Sequence, residues 1–268
     1  MTRPSFQDYG TYDESAHPDL WDGVVGYWAP CLGPTGTRLF DVSRYNNWGT
    51  ITNMDAATDW VIDGGQYALD FDGTNDHVSC GIVPIGGACT VSCWMKPTSG
   101  VPTRAIFSDT TGAGFTGALQ FEIGRTQGKV ALLWANTVIL YSDLALTMSQ
   151  QYHVVGVRRG TTSSWTAEFW IDGKLNSSAT TTNNPGAANA FSIGQAGSFP
   201  GQYYSGQISD IAAWNRALLP NEIIRLYQLG RGGMLERRRR RRFYSVQADV
   251  VRSYLFVNRG QVIGGGTL

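Results

Sequence analysis

The 268-residue sequence predicts an all-β protein, a two-sheet antiparallel sandwich with one short C-terminal helix and an extended basic arm beyond it. Three observations predict this class. Charged residues make up only 16% of the chain while Gly (33), Trp (9) and Tyr (12) are plentiful, a balance suited to pleated strands joined by tight turns. Short apolar or alternating runs follow one another between Gly/Asn/Asp/Thr turns. Only one segment carries a helical apolar stripe with its own start and stop signals. The chain is long enough to bury a sizeable core.

The strand series runs VVGYWA (24–29), RLFDV (38–42), YALDFDG (67–73), HVSCG (77–81), CTVSCWMK (89–96), RAIFSD (104–109), LQFEIG (119–124), KVALLWA (129–135), HVVGVRR (153–159), TAEFWIDGK (166–174), AFSIG (190–194) and GQISDIAAW (206–214). The Asp172-Gly173 pair is a tight-turn signal, so residues 166–171 and 174 onward form a hairpin. The helix is LLPNEIIRLYQLG. Pro220 suits its first turn, Glu222 its positive N-terminal end, and Gly230 its exit. Ile223, Leu226 and Tyr227 share one face, which must lie against the sandwich.

The formal net charge of zero averages two unlike parts. Residues 231–268 hold nine Arg against Glu236 and Asp249, a balance of +7, which leaves −7 on the rest. The expected organisation is an N-terminal extension over 1–23, a β domain over 24–230 and an Arg-rich arm over 231–268. The N-terminus lacks an apolar signal-peptide core, and no apolar stretch reaches the roughly 20 residues that span a bilayer. Neither a secretory route nor membrane insertion is expected. Cys89 and Cys93 lie on one strand about 13 Å apart, too far for a disulfide. Cys31, Cys80, Cys89 and Cys93 are therefore read as reduced, buried thiols.

Catalytic signals are weak. Glycanases of β-sandwich architecture use paired carboxylates, and the nearest pair is Glu168 and Asp172. They sit about 13 Å apart along a strand, against about 5–5.5 Å or 6.5–9.5 Å for the two glycosidase mechanisms. GAGFTG (112–117) matches a dinucleotide-loop pattern, but a strand follows it instead of a helix. His17, His77 and His153 stand in unrelated contexts, and the latter two alternate with apolar neighbours. The expectation is a protein that is not an enzyme.

YALDFDGTNDHVSCG, TVSCWMKP, YHVVGVRRG…FWIDGK and YYSGQISDIAAWNRALLPNEIIRLYQLG, in that order and spacing, resemble the LamG-like, concanavalin A-type jelly-roll family over about residues 24–230. One departure is Leu219, where such sequences place a Ser or Thr helix cap, so a weaker helix start is expected. The resemblance implies a structural Ca²⁺ at a loop edge, held by oxygen donors. By resemblance its ligands are Asp41 and Asn46 in FDVSRYNNWGT, and Asp210 in GQISDIAAW, although VSRYNN replaces a shorter turn. No cofactor is required. Jelly rolls also host lectins, whose sites pair exposed aromatics with Asn and Asp. Trp48, Trp60, Tyr203 and Tyr204, in loop-like segments, qualify by type, whereas Trp28, Trp94, Trp170 and Trp214 lie on strands and read as core.

The entry segment HPDLWDGVVGYWAPCLGPTGTRLFDVSRYNNWGTITNMDAATDW and the Arg-run exit are similar to LamG-like proteins encoded by tailed phages and prophages. That implies a virion-associated structural protein, a capsid decoration or a head or tail component, made in the host cytoplasm. Arg237, Arg238, Arg239, Arg240, Arg241 and Arg242 precede Phe243 and Tyr244, and then a β-prone run, VVRSYLFV, with Tyr254 and Phe256. Such a run resists free solvation. A docked arm is expected, its guanidinium groups bonding acidic surface on a sister subunit or on another capsid or tail protein. The expected partners are other virion proteins, further copies of the chain in a homo-oligomer, and host-surface glycans bound by the jelly roll. Nucleic acid is the weaker alternative for the Arg run.

Overall fold

The computed structural model describes residues 16–100, 104–109, 119–134, 137–161, 164–184, 190–196 and 201–235. Two eight-stranded antiparallel sheets make up the body. The first contains β1 (Val24–Trp28), β4 (Trp60–Asp63), β5 (Gln66–Asp72), β7 (Cys89–Pro97), β12 (Tyr152–Thr161), β13 (Ser164–Ile171), β14 (Lys174–Thr181) and β16 (Ser205–Trp214), in the order β14-β13-β12-β7-β16-β5-β4 with β1 also paired to β16. The second contains β2 (Arg38–Leu39), β3 (Gly49–Thr52), β6 (His77–Ile82), β8 (Arg104–Ser108), β9 (Gln120–Ile123), β10 (Lys129–Trp134), β11 (Thr137–Ala145) and β15 (Ala190–Ile193), in the order β11-β10-β9-β8-β15-β6-β3-β2. Runs of sequence neighbours pair as hairpins, β8 to β11 and β12 to β14 among them, while strands distant in sequence meet at β7-β12, β7-β16, β5-β16 and β6-β15, as a jelly roll requires. Among the described residues no helix is long and apolar enough to cross a membrane.

The main core lies between the sheets, where Val91, Cys93, Phe121, Phe169, Phe191 and Trp28 meet. Gly156, mid-β12, shows how close the layers come: an added Cβ would sit 1.5 Å from Cζ of Phe121. A second apolar layer covers the outer face of the first sheet. There Val155, Val157, Trp170 and Trp214 are roofed by two helices, α1 (Pro18–Trp21) and α2 (Pro220–Leu229). Leu20 and Trp21 before β1, and Met234 after α2, are buried in this layer, so it is built from both ends of the described chain.

The Asp172-Gly173 hairpin is present, with both residues at positive φ (50° and 73°), the geometry of the two-residue turn the pair favours. Leu219 caps α2 with no side-chain bond. The helix start is instead held by Glu222, which accepts the Leu219 N–H (2.6 Å) and is gripped by both ends of Arg216 (2.7 and 2.9 Å). Burial opposes the charge of Glu222, but these bonds outweigh it and hold the carboxyl below its usual range. Tyr227 departs from its expected packing on the buried face. It is 38% exposed, and its ring stacks on Trp94 at the rim. All four cysteines are free and buried.

Candidate functional site: the Trp48 groove

Between β2 and β3 the chain makes a loop, 40–48, whose floor is one buried carboxylate. Asp41 Oδ1 accepts the N–H groups of Tyr27 and Ser43, each at 2.8 Å. Its Oδ2 accepts the Ser43 hydroxyl (2.9 Å) and the Asn47 N–H (2.8 Å). Asn47 then clips the loop to β1: its side chain donates to Val25 O (3.1 Å), and its carbonyl accepts the Trp28 indole N–H (2.8 Å). Trp28 itself stacks on Phe191 in the core, with centroids 5.0 Å apart. Asn46 turns the loop at φ 53°, a left-handed conformation that Asn tolerates better than most residues.

This anchoring presents an open groove of about 500 Å³, lined by Phe40, Val42, Ser43, Arg44, Asn46 and Trp48. Trp48 is 46% exposed. Its ring is held edge-on by Phe40 at 5.3 Å, and the Arg38 guanidinium lies over it at 5.6 Å. Arg44 sits over exposed Tyr45 in the same way, at 5.5 Å. The groove combines a fixed aromatic face with the amide, hydroxyl and guanidinium groups that recognise polyols and their substituents, and its size is that of a small-molecule site.

The remaining sequence candidates fall elsewhere. Trp60 is 7% exposed and Tyr204 0%; both pack into the inter-sheet core, so neither offers a ring to a sugar. Tyr203 is half-buried, 6.3 Å from the His77 ring and remote in sequence from the Trp48 loop. The expected Ca²⁺ ligands are not gathered into one donor set. Four N–H and O–H hydrogens already point at the oxygens of Asp41 and would repel a cation there. The Asn46 side chain donates to Arg44 O (3.5 Å). Asp210 lies at the far end of Tyr27, whose hydroxyl reaches its Oδ1 at 3.4 Å while the Tyr27 backbone N–H holds Asp41. These residues do not fit a bound Ca²⁺. Among the described residues no group of three or more His, Cys, Asp and Glu side chains is arranged to hold a metal. Arg237 to Arg242, Phe243, Tyr244, Tyr254 and Phe256 lie outside the described residues.

The two carboxylates weighed for glycan cleavage are both engaged. Glu168 is bound by Arg159 through two bonds (2.6 and 3.1 Å) and by the Trp170 indole (2.8 Å). Burial opposes its charge, but these bonds prevail and hold the carboxyl below its usual range. Asp172 accepts the His153 N–H at 2.9 Å from its turn. A further carboxylate, Glu122, escaped notice in the sequence. On β9 the outward residues Gln120 and Glu122 alternate with the core residues Phe121 and Ile123. The register Ser79–Ser192–Ser108–Gln120 continues a polar row across four strands. Glu122 is wholly buried and held by Arg125 and by the Gln120 amide (3.0 Å). Its partner two residues away is thus an amide, not a second acid. The visible signal was a polar residue at every second position of an otherwise apolar strand.

Two packed antiparallel sheets in this strand order define a lectin-like jelly-roll fold. The chain belongs to the concanavalin A-like lectin/glucanases superfamily, whose family model matches residues 72–224. The groove precedes that matched span. No curated protein sequence matches the chain. Among solved structures it is similar to Trypanosoma rangeli sialidase in complex with the inhibitor DANA, at 17% identity and a TM-score of 0.54, over 76% of this chain and 32% of the sialidase. It is also similar to the binding domain of Paraclostridial Mosquitocidal Protein 1, at 13% identity and a TM-score of 0.56, over 78% of this chain and 52% of that one. The chain therefore spans about a third of the sialidase and half of the toxin domain, and these likenesses concern the fold.

Proposed function

We propose that the protein is a non-catalytic recognition module that binds glycans in the Trp48 groove and docks through its arginine-rich terminus. The observation that carries this reading is Trp48 itself. A large aromatic ring stands half-exposed on a loop made rigid by Asp41, so the cost of ordering a binding surface is met before a ligand arrives. The engaged state of Glu168, Asp172 and Glu122 supports binding without cleavage. Glycan titration of the full chain, read by tryptophan fluorescence, tests the proposal. Trp48→Ala is expected to abolish binding while leaving the melting temperature almost unchanged. Unaltered binding in that variant would remove the groove from the reading.

The split between a −7 body and a +7 terminus favours a second, compatible element: an arm that docks on acidic protein surface. Placement in a virion as a decoration, head or tail component rests on the sequence resemblance. Light scattering of the full chain beside a variant with Arg237–Arg242 replaced by glutamine, at low and high salt, tests the arm. A defined oligomer lost on substitution supports self-assembly through it. Monomers in both cases would leave self-assembly without support.

A further inference from the structure

We infer that the saccharide taken by the Trp48 groove is acidic, and that Arg38 and Arg44 bind its anionic group. This deepens the glycan-binding reading and rests on it. Nine arginines are described, and seven are committed to protein acceptors. Arg125, Arg159, Arg216, Arg225 and Arg231 each pair with a carboxylate. Arg104 and Arg158 donate to backbone carbonyls. The exceptions are Arg38 and Arg44, whose guanidinium groups make no hydrogen bond or ion pair among the described residues. Both are exposed, and each is held over the face of an aromatic ring.

This is an unusual use of charge in a body that carries an excess of acids. The one carboxylate in the loop, Asp41, has its oxygens occupied by other donors and pairs with neither arginine. Ring contact restrains a guanidinium without consuming its N–H donors. Two restrained cations with unused donors therefore border the groove that holds Trp48 and the Asn46 amide. A neutral sugar would use the ring and leave that charge unanswered. A carboxylated or sulfated sugar would use both, adding charge-assisted bonds.

Calorimetric titration of the full chain with matched pairs tests this: sialyllactose against lactose, oligogalacturonate against its methyl ester, and a sulfated disaccharide against its desulfated form. At least one acidic member should bind about tenfold more tightly than its neutral partner. Which pair discriminates identifies carboxylate or sulfate as the recognised group. Arg38→Gln and Arg44→Gln should each reduce the preference for the acidic member over its neutral partner at least threefold. The Arg237–Arg242 run is present in every variant, so affinity lost on substitution belongs to the groove. If acidic and neutral partners bind equally and Trp48→Ala removes both, the glycan reading stands and the acid preference falls. Acid binding that survives both arginine substitutions overturns the inference and assigns the anion elsewhere. If no pair binds, both readings fall.

Discussion

Asp41 and Asp210 stand at the two ends of Tyr27, and the loop around the first and the bulge around the second bury a carboxylate in opposite ways. Asp41 is met by four donors and turns its charge into shape, since the loop wraps the carboxylate and the groove follows from the wrapping. Asp210 sits in mid-strand at φ 50°, where the pairing of β16 with β7 slips between Ser209 and Ala212. The Tyr27 hydroxyl reaches its Oδ1 at 3.4 Å and the Cys31 thiol and Gly232 amide also donate to it, while its Oδ2 has no hydrogen-bond partner. Burial pushes its carboxyl up to about 6, against the opposing pull of the Cys31 thiol, the Arg231 charge, Tyr27 and the Gly232 amide. It lines a small pocket of about 20 Å³ with Ser92 and His153, beneath the segment that follows α2. A buried acid with enough donors organises its surroundings. One whose donors do not offset its burial carries a charge that the fold resists.

The largest test of that contrast is removal of each carboxylate. Asp41→Ala leaves three backbone N–H groups and a hydroxyl facing an empty space, and should cost about 4 kcal/mol. That is roughly a 10 °C fall in melting temperature for a domain of this size. Glycan affinity should fall with it. Asp210→Asn, which keeps the shape and discards the charge, should be neutral or stabilising at pH 7. Denaturant midpoints of both variants check the pair, and equal losses would dissolve the distinction.

The pH dependence should be nearly as large, because two buried groups oppose one another. The folded pKa of Asp210 is raised to about 6 from 3.8, so its favourable term is full below pH 4 and is lost as pH rises through 6. His153 runs the other way. Burial lowers its pKa from 6.5 to about 3, so its neutral ring favours the fold at pH 7 and that term fades as pH falls below 6.5. Between pH 4 and 6 the two slopes nearly cancel. Asp210→Asn should unmask the histidine, giving a chain that loses about 2 kcal/mol more than the parent from pH 6 to pH 4. Urea midpoints across that range measure it, and a variant as flat as the parent would refute the pairing of the two groups.

Some of this was open to reading from residues alone. The strand series, the Asp172-Gly173 turn and helix α2 carry local signals, and period-two alternation and Gly/Pro punctuation survive folding intact. β3, β4 and β11 carried weaker ones. The short GTIT is half polar, and the pairing that makes it a strand comes from β6, far along the chain. Trp48 and Trp60 looked alike in sequence, yet one is half-exposed and the other is core, because exposure is decided by which strand passes overhead. Asp41 is expected by resemblance to be a cation ligand, and in the structure its oxygens accept four hydrogen bonds. Its donors are backbone N–H groups from β1 and its own loop, which no residue type announces. That Arg38 and Arg44 pair with no acid among the described residues was equally invisible, since it depends on where the acids went.

The smallest expected effect separates the carboxylate from the clip beside it. Asn47→Ala removes only the side-chain bond to Val25 O and leaves the backbone bonds to Asp41 and Trp28 in place. It should cost about 1 kcal/mol and weaken glycan binding only a few-fold. In Asp41→Ala, by contrast, stability and affinity fail together. If Asn47→Ala proves as damaging as Asp41→Ala in thermal melts and titration, the clip to β1 holds the groove open, and the four donors around Asp41 follow from a loop already fixed by other means.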